Sequence, residues 1–334
     1  MRELKENAAA RFQTPAPFAF SAEQVAALDD ALVPVELVLE AHLPRAEPAS
    51  EDVLAVVLRM GHGPDLARLA AAVPAPFDQL PVVWLRADDP RVPELRQADT
   101  RAFTAPAGSP AYQDLLVQHA GASLAKAFAF EHLVDEGNEP TLDIGKAVLR
   151  VRSPGFFLLA KKHAFPVCVV GREQNRLWRW GWAEPDRFPS QLTKESGTIK
   201  RFGELRDVAE LCQPELSLAE HHAVALALVS CGVLGGSFFY AVPDAEGTTY
   251  VVSTAPFEGM DRALTADDVT VLVETLSSSW TLKSVRAAIE AFARARKLTL
   301  QARGPSLDLA CADGSVSLRF DGRGRVRSTQ STFG

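Results

Sequence analysis

The polar run Glu220-His221-His222 is the most suggestive chemistry in this sequence, because paired imidazoles beside a carboxylate are raw material for a metal site. Its spacing argues against one. The H-E-x-x-H pattern is absent and no other His stands at ligand spacing. Adjacent helical residues point about 100° apart, so the two rings do not converge. Glu220 follows Ser217 by three positions, which reads as a capping box opening a helix through Val229. His163 and Cys168 suggest a thiol–imidazole pair. Their odd separation puts them on opposite faces of a continuous strand, although Pro166 interrupts it, and an inert thiol is expected. His119 and His132 lie on one long helix, about 140° apart in azimuth, and are not partners. Gly232 to Ser237 looks like a phosphate loop, but it follows a helix and precedes a strand, the reverse of the order that aims helix amides at phosphate. It reads as a helix stop. Gly145-Lys146 lacks the rest of a Walker loop, and G-x-S-x-G is absent. Asp88-Asp89 reads as a solvated loop, and Asp267-Asp268 as a first helical turn. Arg319, Arg323, Arg325 and Arg327 read as a solvated hairpin rather than a nucleic-acid contact. No catalytic residue, metal ligand or cofactor is assigned.

The stretch that organises the middle of the chain is LWRWGWA, residues 177–183. Trp178, Trp180 and Trp182 alternate, with Arg179 and Gly181 between them. A strand over 176–183 would line the three indoles on one face. Large aromatics prefer cores, so the face is expected to pack under the helix of residues 110–134. The sharper alternative is a ligand or partner face made of Trp178, Trp180, Trp182 and Arg179. Gly181 marks a bulge or a close neighbour.

These residues need a folded scaffold, and composition supplies one. The 334 residues are 47% apolar and 23% charged, ordinary values for a globular chain. A net charge of -7 gives no nucleic-acid footprint. No secretory signal is read at the N-terminus, and no apolar run reaches membrane-spanning length. Cys168, Cys212, Cys231 and Cys311 lack paired spacing and are expected to be reduced thiols of a cytoplasmic protein.

The periodicities predict an α+β fold of several modules, with mostly antiparallel sheets packed against helices. Residues 1–104 read as a small α+β module: a Pro- and Ala-rich arm to about residue 20, a helix from Ser21, strands at 33–39 and 53–60, a helix at 65–73 and a strand at 80–85. Residues 105–260 read as the central domain. Its long helix is capped by Ser109 with Pro110 at the first helical position. Strands follow at 147–151, 156–160, 167–170 and 176–183, with turns at 153–155 and 171–175. A helix at about 190–202, a short turn of helix at 208–211, the helix after Ser217, and strands at 237–243 and 248–254 complete it. Residues 261–334 read as a separate module: a helix started by Thr265 and Asp268, an amphipathic helix at 282–296, and three or four strands with a hairpin signal at Asp313-Gly314.

Trp178-x-Trp180-x-Trp182-Ala183, Pro185, Arg201-Phe202-Gly203 and Glu210-Leu211 resemble an uncharacterised bacterial family, a domain of unknown function with a WxWGWA strand, over about residues 111–257. The resemblance implies a bacterial source and an α+β fold, and carries no activity. The expected function is a non-enzymatic protein-binding module, of immunity or adaptor type, with a protein partner and no nucleic acid or membrane. The alternative is an enzyme of unrecognised type with a pocket beside the Trp-rich sheet.

Overall fold

The computed structural model describes residues 2–3, 11–13, 24, 27–28, 32, 38–47, 51–58, 66–75, 77–86, 101–104, 108–134, 140–152, 162–218, 220–278, 282–322 and 324–333. Helices and mostly antiparallel sheets make it an α+β protein, and the chain divides into two compact units, residues 1–106 and 107–334.

The first unit holds β1 (Arg2–Glu3), β2 (Arg11–Gln13), β3 (Val38–His42), β4 (Arg45–Glu47), β5 (Glu51–Asp52), β6 (Leu54–Leu58), helix α1 (Leu66–Ala72), β7 (Pro81–Arg86) and β8 (Arg101–Thr104). Five strands form a mixed sheet in the order β1-β7-β6-β3-β8, with β7 parallel to both β1 and β6. Residues 54–57 and 82–85 are continuous apolar runs, as strands buried on both faces require, and all eight are buried. The segment read as an arm contributes β1 and β2 instead, the latter paired with β4. Gln24, Ala27, Leu28 and Leu32 are helical, and both leucines are fully buried. Ser21, Val35, Leu37 and Asp88-Asp89-Pro90 lie outside the described residues.

The second unit opens with α2 (Pro110–Glu131), which starts as its sequence directs: the Ser109 hydroxyl accepts from the Tyr112 amide at 3.2 Å. Strands β9 (Thr141–Asp143), β10 (Val148–Arg152) and β11 (Lys162–Pro166) make a small antiparallel sheet. The turn at 153–155 and the strand expected at 156–160 lie outside the described residues. Next come β12 (Cys168–Gln174), β13 (Leu177–Trp180), α3 (Ser190–Thr193), α4 (Ser196–Arg206), α5 (Ala209–Cys212) and β14 (Glu215–Ser217). Then follow α6 (Ala223–Val233), β15 (Phe238–Asp244) and β16 (Gly247–Ser253). The five strands pair in the order β14-β13-β12-β16-β15, all antiparallel. The chain ends with α7 (Ala266–Ser278), α8 (Val285–Arg296) and a four-stranded meander of β17 (Leu300–Arg303), β18 (Ser306–Cys311), β19 (Gly314–Phe320) and β20 (Val326–Phe333).

Several elements differ from the sequence reading. The turn expected over 171–175 is confined to Asn175-Arg176, whose positive φ angles of 52° and 62° suit a two-residue hairpin, and Gly171 stays inside β12. The strand expected to Ala183 stops at Trp180, and Gly181–Ala183 is a 3-10 turn. A Cβ at Gly181 would sit 2.2 Å from the Val169 carbonyl oxygen, so glycine lets the chain press against β12 as it leaves the sheet. The helix at 190–202 is two, α3 and α4. The Ser217–Glu220 box does not cap α6: Ser217 pairs with Leu177 in the sheet, and α6 begins at Ala223, its N-cap His222 making no side-chain cap bond. The box at Thr265 and Asp268 does form, each side chain accepting from the other's amide, at 3.1 and 2.8 Å.

One apolar core runs from Trp178 and Trp180 through α2, α6, α7 and α8 to Leu307, Leu318 and Phe320 of the last meander. The step expected at residue 261 therefore falls inside a shared core. Helix α8 packs so closely on α2 that a Cβ at Gly121 would lie 2.7 Å from Phe292 Cβ. The opposite face of the five-stranded sheet carries a second core, where Val169, Phe238 and Val251 meet Leu149 and Phe165 of the β9–β11 sheet. Among the described residues no helix is long and apolar enough to cross a membrane.

Candidate functional site

Trp178 and Trp180 are fully buried, edge to face with ring centres 5.4 Å apart. Trp178 lies across Gly171, where a Cβ would meet its ring at 2.2 Å. The Trp180 indole donates to the Glu210 carbonyl at 3.0 Å. Neither ring offers surface to a ligand. Trp182, past the end of the strand, is half-buried under the Lys200 ammonium at 4.9 Å. Arg179 points outward and pairs with Glu215 at 2.7 Å. The four residues considered as a binding face thus occupy three environments, because the strand ends before Trp182 and Arg179 alternates away from the core.

A second group gathers at the start of α2, in elements a hundred residues apart. Glu210, buried on α5, accepts from the Ser109 amide and, at 2.9 Å, from its hydroxyl. A carboxylate there meets the positive end of a 22-residue helix. Buried Tyr112 stands beside it, its phenol pushed up by burial and then by the Glu210 charge, its hydroxyl without a hydrogen-bond partner among the described residues. The His221 ring meets Tyr112 edge-on at 5.9 Å. Gly108, with φ of 76°, leaves the space into which Tyr112, Glu210 and His221 converge. This group fastens the helix start, and His222 is exposed at the cap of α6.

The other sequence candidates stay apart. His119 packs on Gly232, and burial, then Lys126, lower its basicity. His132 caps the end of α2. All four cysteines are free thiols; burial pushes Cys168 up to about 12 and Cys231 up to about 11. In the arginine run, Arg325 is tied to Asp321 at 2.8 Å, and Arg323 lies outside the described residues.

The arrangement that the motifs missed is a cleft of about 530 Å³ between β9 and the β15–β16 hairpin. Pro140, Leu142, Ile144, Phe188, Val242 and Pro243 supply apolar walls; Thr141, Arg187, Asp244 and Thr249 supply polar groups. Its volume falls within the range of ligand sites. Opposite Thr249 on β12 lies Arg172, 1% exposed, paired with Asp244 at 2.9 Å and Glu246 at 3.3 Å and donating to Gln174. A buried guanidinium needs such partners. Asp244 Oδ1 also accepts from the amides of Glu246 and Gly247. Burial pushes the Asp244 carboxyl up, but the Arg172 and backbone hydrogen bonds outweigh it and hold it below its ordinary value. Thr249, on β16, is 4% exposed and lines the cleft. Arg187 reaches Glu246 at 3.0 Å on the rim. These residues come from four separated segments and belong to no motif; the sequence around Glu246-Gly247 signals only a turn.

Residues 113–256 match the model of a family of unknown function, DUF6882. The match covers less than half of the chain, runs from α2 through β16, and so contains both Trp residues of β13 and the whole lining of the cleft. No curated protein and no solved structure matches the chain.

Proposed function

We propose that residues 107–334 act as a non-enzymatic protein-binding module, of adaptor or immunity type in a bacterial cytosol, and that the cleft beside β9 receives a segment of the partner. The observation that carries this is the cleft itself: apolar walls on two sides, polar side chains at Thr141, Asp244 and Thr249, and an ion pair at its rim. Such a lining supplies area for apolar side chains and a few polar groups that fix orientation. An enzyme would need a group there poised to exchange a proton near neutrality. The carboxyl that lines the cleft, Asp244, is held down rather than raised. The cytosolic setting rests on the four cysteines' lack of paired spacing in the sequence. The bacterial source rests on the resemblance of the tryptophan segment alone.

The test is site-specific photo-crosslinking in the native host from position Ile144, which is 44% exposed at the cleft. One discrete protein adduct is expected. It should disappear when the half-exposed Val242 is changed to Trp to fill the cleft, with the melting temperature unchanged. An adduct that survives the filled cleft would overturn the assignment.

A further inference from the structure

We infer that β20 pairs edge to edge with β20 of a second copy of this chain, so that the last meander continues as one antiparallel sheet across a two-fold axis. β20 is an outer strand of its sheet and runs for eight residues, Val326–Phe333. The direction of its backbone groups follows from its neighbours. The Phe320 amide donates to the Pro305 carbonyl at 2.8 Å, on the β18 side, so Ser315, Ser317 and Arg319 turn their amides and carbonyls to β20. Their partners Thr332, Gln330 and Ser328 answer them, which leaves the backbone groups of Thr329, Ser331 and Phe333 directed outward. Natural sheet edges are blunted by Lys, by Pro or by shortness. The other outer strands of this unit follow that rule: β9 and β14 have three residues each, β17 has four, β11 carries Lys162 and Pro166, and β15 carries Pro243. β20 has none of these devices, and it ends on Phe333, 61% exposed.

Charge selects a second copy as the occupant of this edge. The first end of β20 is basic: Arg327 is exposed, and so is Arg319, which pairs with Ser328 from β19. The last end is acidic: Phe333 pairs with Gly314, next to exposed Asp313, and Asp313 accepts from the Ala266 amide beside exposed Asp267. An antiparallel mate of the same sequence brings the basic end of each copy to the acidic end of the other. A parallel mate would set like charges side by side. A two-fold axis perpendicular to the sheet makes one residue of the strand face itself. With Gln330 at the axis, Thr329 faces Ser331, Ser328 faces Thr332, and Arg327 faces Phe333. That register engages every outward group and lays a guanidinium beside an exposed ring. An axis at Thr329 would leave Phe333 unpaired, and one at Ser331 would leave Arg327 unpaired. The two Arg327 side chains stand at opposite ends of the ladder rather than against each other.

Sedimentation of the full chain tests the pairing, and cysteine trapping tests its register. The parent should show a monomer–dimer equilibrium that weakens as salt is raised. Thr329→Pro removes an outward amide and leaves the ladder to β19 intact, while Arg327→Glu reverses the basic end without touching the backbone. Each should weaken dimerisation about tenfold through its two symmetric contacts, with the melting temperature of the monomer unchanged. Gln330→Cys places two thiols across the axis in a pair without backbone hydrogen bonds, where Cα atoms stand about 4.5 Å apart, within disulfide range. Mild oxidation should link that variant into a dimer on a non-reducing gel. Ser328→Cys, whose two copies stand about 14 Å apart, should stay unlinked, as should the parent. A parent that sediments as a monomer at every attainable concentration would overturn the proposal. Equal linking of both cysteine variants, or a dimer that withstands both Thr329→Pro and Arg327→Glu, would place the contact elsewhere and overturn it as well.

Discussion

Trp180 shows how one residue joins the sheet, the core and the helix start. Its ring is fully buried against Trp178, and its indole nitrogen is bonded to the carbonyl of Glu210, whose carboxylate fastens Ser109. Trp180→Ala removes a large apolar volume and leaves that carbonyl without its donor. A loss of about 3–5 kcal/mol is expected, as for other large aromatic truncations in cores. Denaturant unfolding monitored by far-UV circular dichroism measures it. An unchanged midpoint would mean that the ring is exposed in solution. Trp178 offers a contrast within the same strand. Its indole nitrogen is buried without a partner among the described residues, so Trp178 contributes through packing.

At the scale of an element, the clearest local device is the start of α7. Thr265 and Asp268 satisfy each other's amides, and Arg262 adds an ion pair to Asp268 at 2.7 Å. Burial pushes the Asp268 carboxyl up, but these hydrogen bonds and the Arg262 charge bring it below its ordinary value of 3.8. A carboxyl lowered on folding adds stability while the unfolded group is also ionised, above about pH 4, and that stability drains away as acid protonates the folded group. Asp268→Ala should therefore cost about 1 kcal/mol at pH 7. The gap between variant and parent melting temperatures should shrink as the pH falls below about 4. A gap that stayed constant into acid would mean that the box contributes without its charge.

At the scale of the whole second unit, the last seventy residues are part of the main core. Leu264, Leu272, Ile289 and Phe292 belong to the cluster that holds Trp178 and Trp180, and Phe292 presses on Gly121 of α2. Ending the chain after residue 260 would strip α2 of that cover and expose a broad apolar surface. The shortened protein should aggregate, or bind a hydrophobic dye strongly if it stays in solution. A soluble truncate with native-like circular dichroism and no dye binding would mean that α7, α8 and the last meander fold as an appendix.

What could be read from sequence alone was local. Ser109-Pro110, Thr265 with Asp268, the turn at Glu246-Gly247 that joins β15 to β16, and the hairpin before Gly314 all act through atoms a few residues apart, so their signals survive without tertiary context. The buried character of Trp178 and Trp180 was legible for the same reason, through strand alternation and the cost of exposing large aromatics. The tertiary structure decided the rest. Trp182 leaves the sheet because Gly181 meets Val169 on a neighbouring strand, and Ser217 gives up a helix cap because β13 offers it a ladder partner. The cleft depends on contacts such as that between Arg172 and Asp244, 72 residues apart, which no periodicity encodes. Residues that converge only when separate strands find their register carry no joint mark in the chain, and their shared chemistry exists only once the sheet has formed.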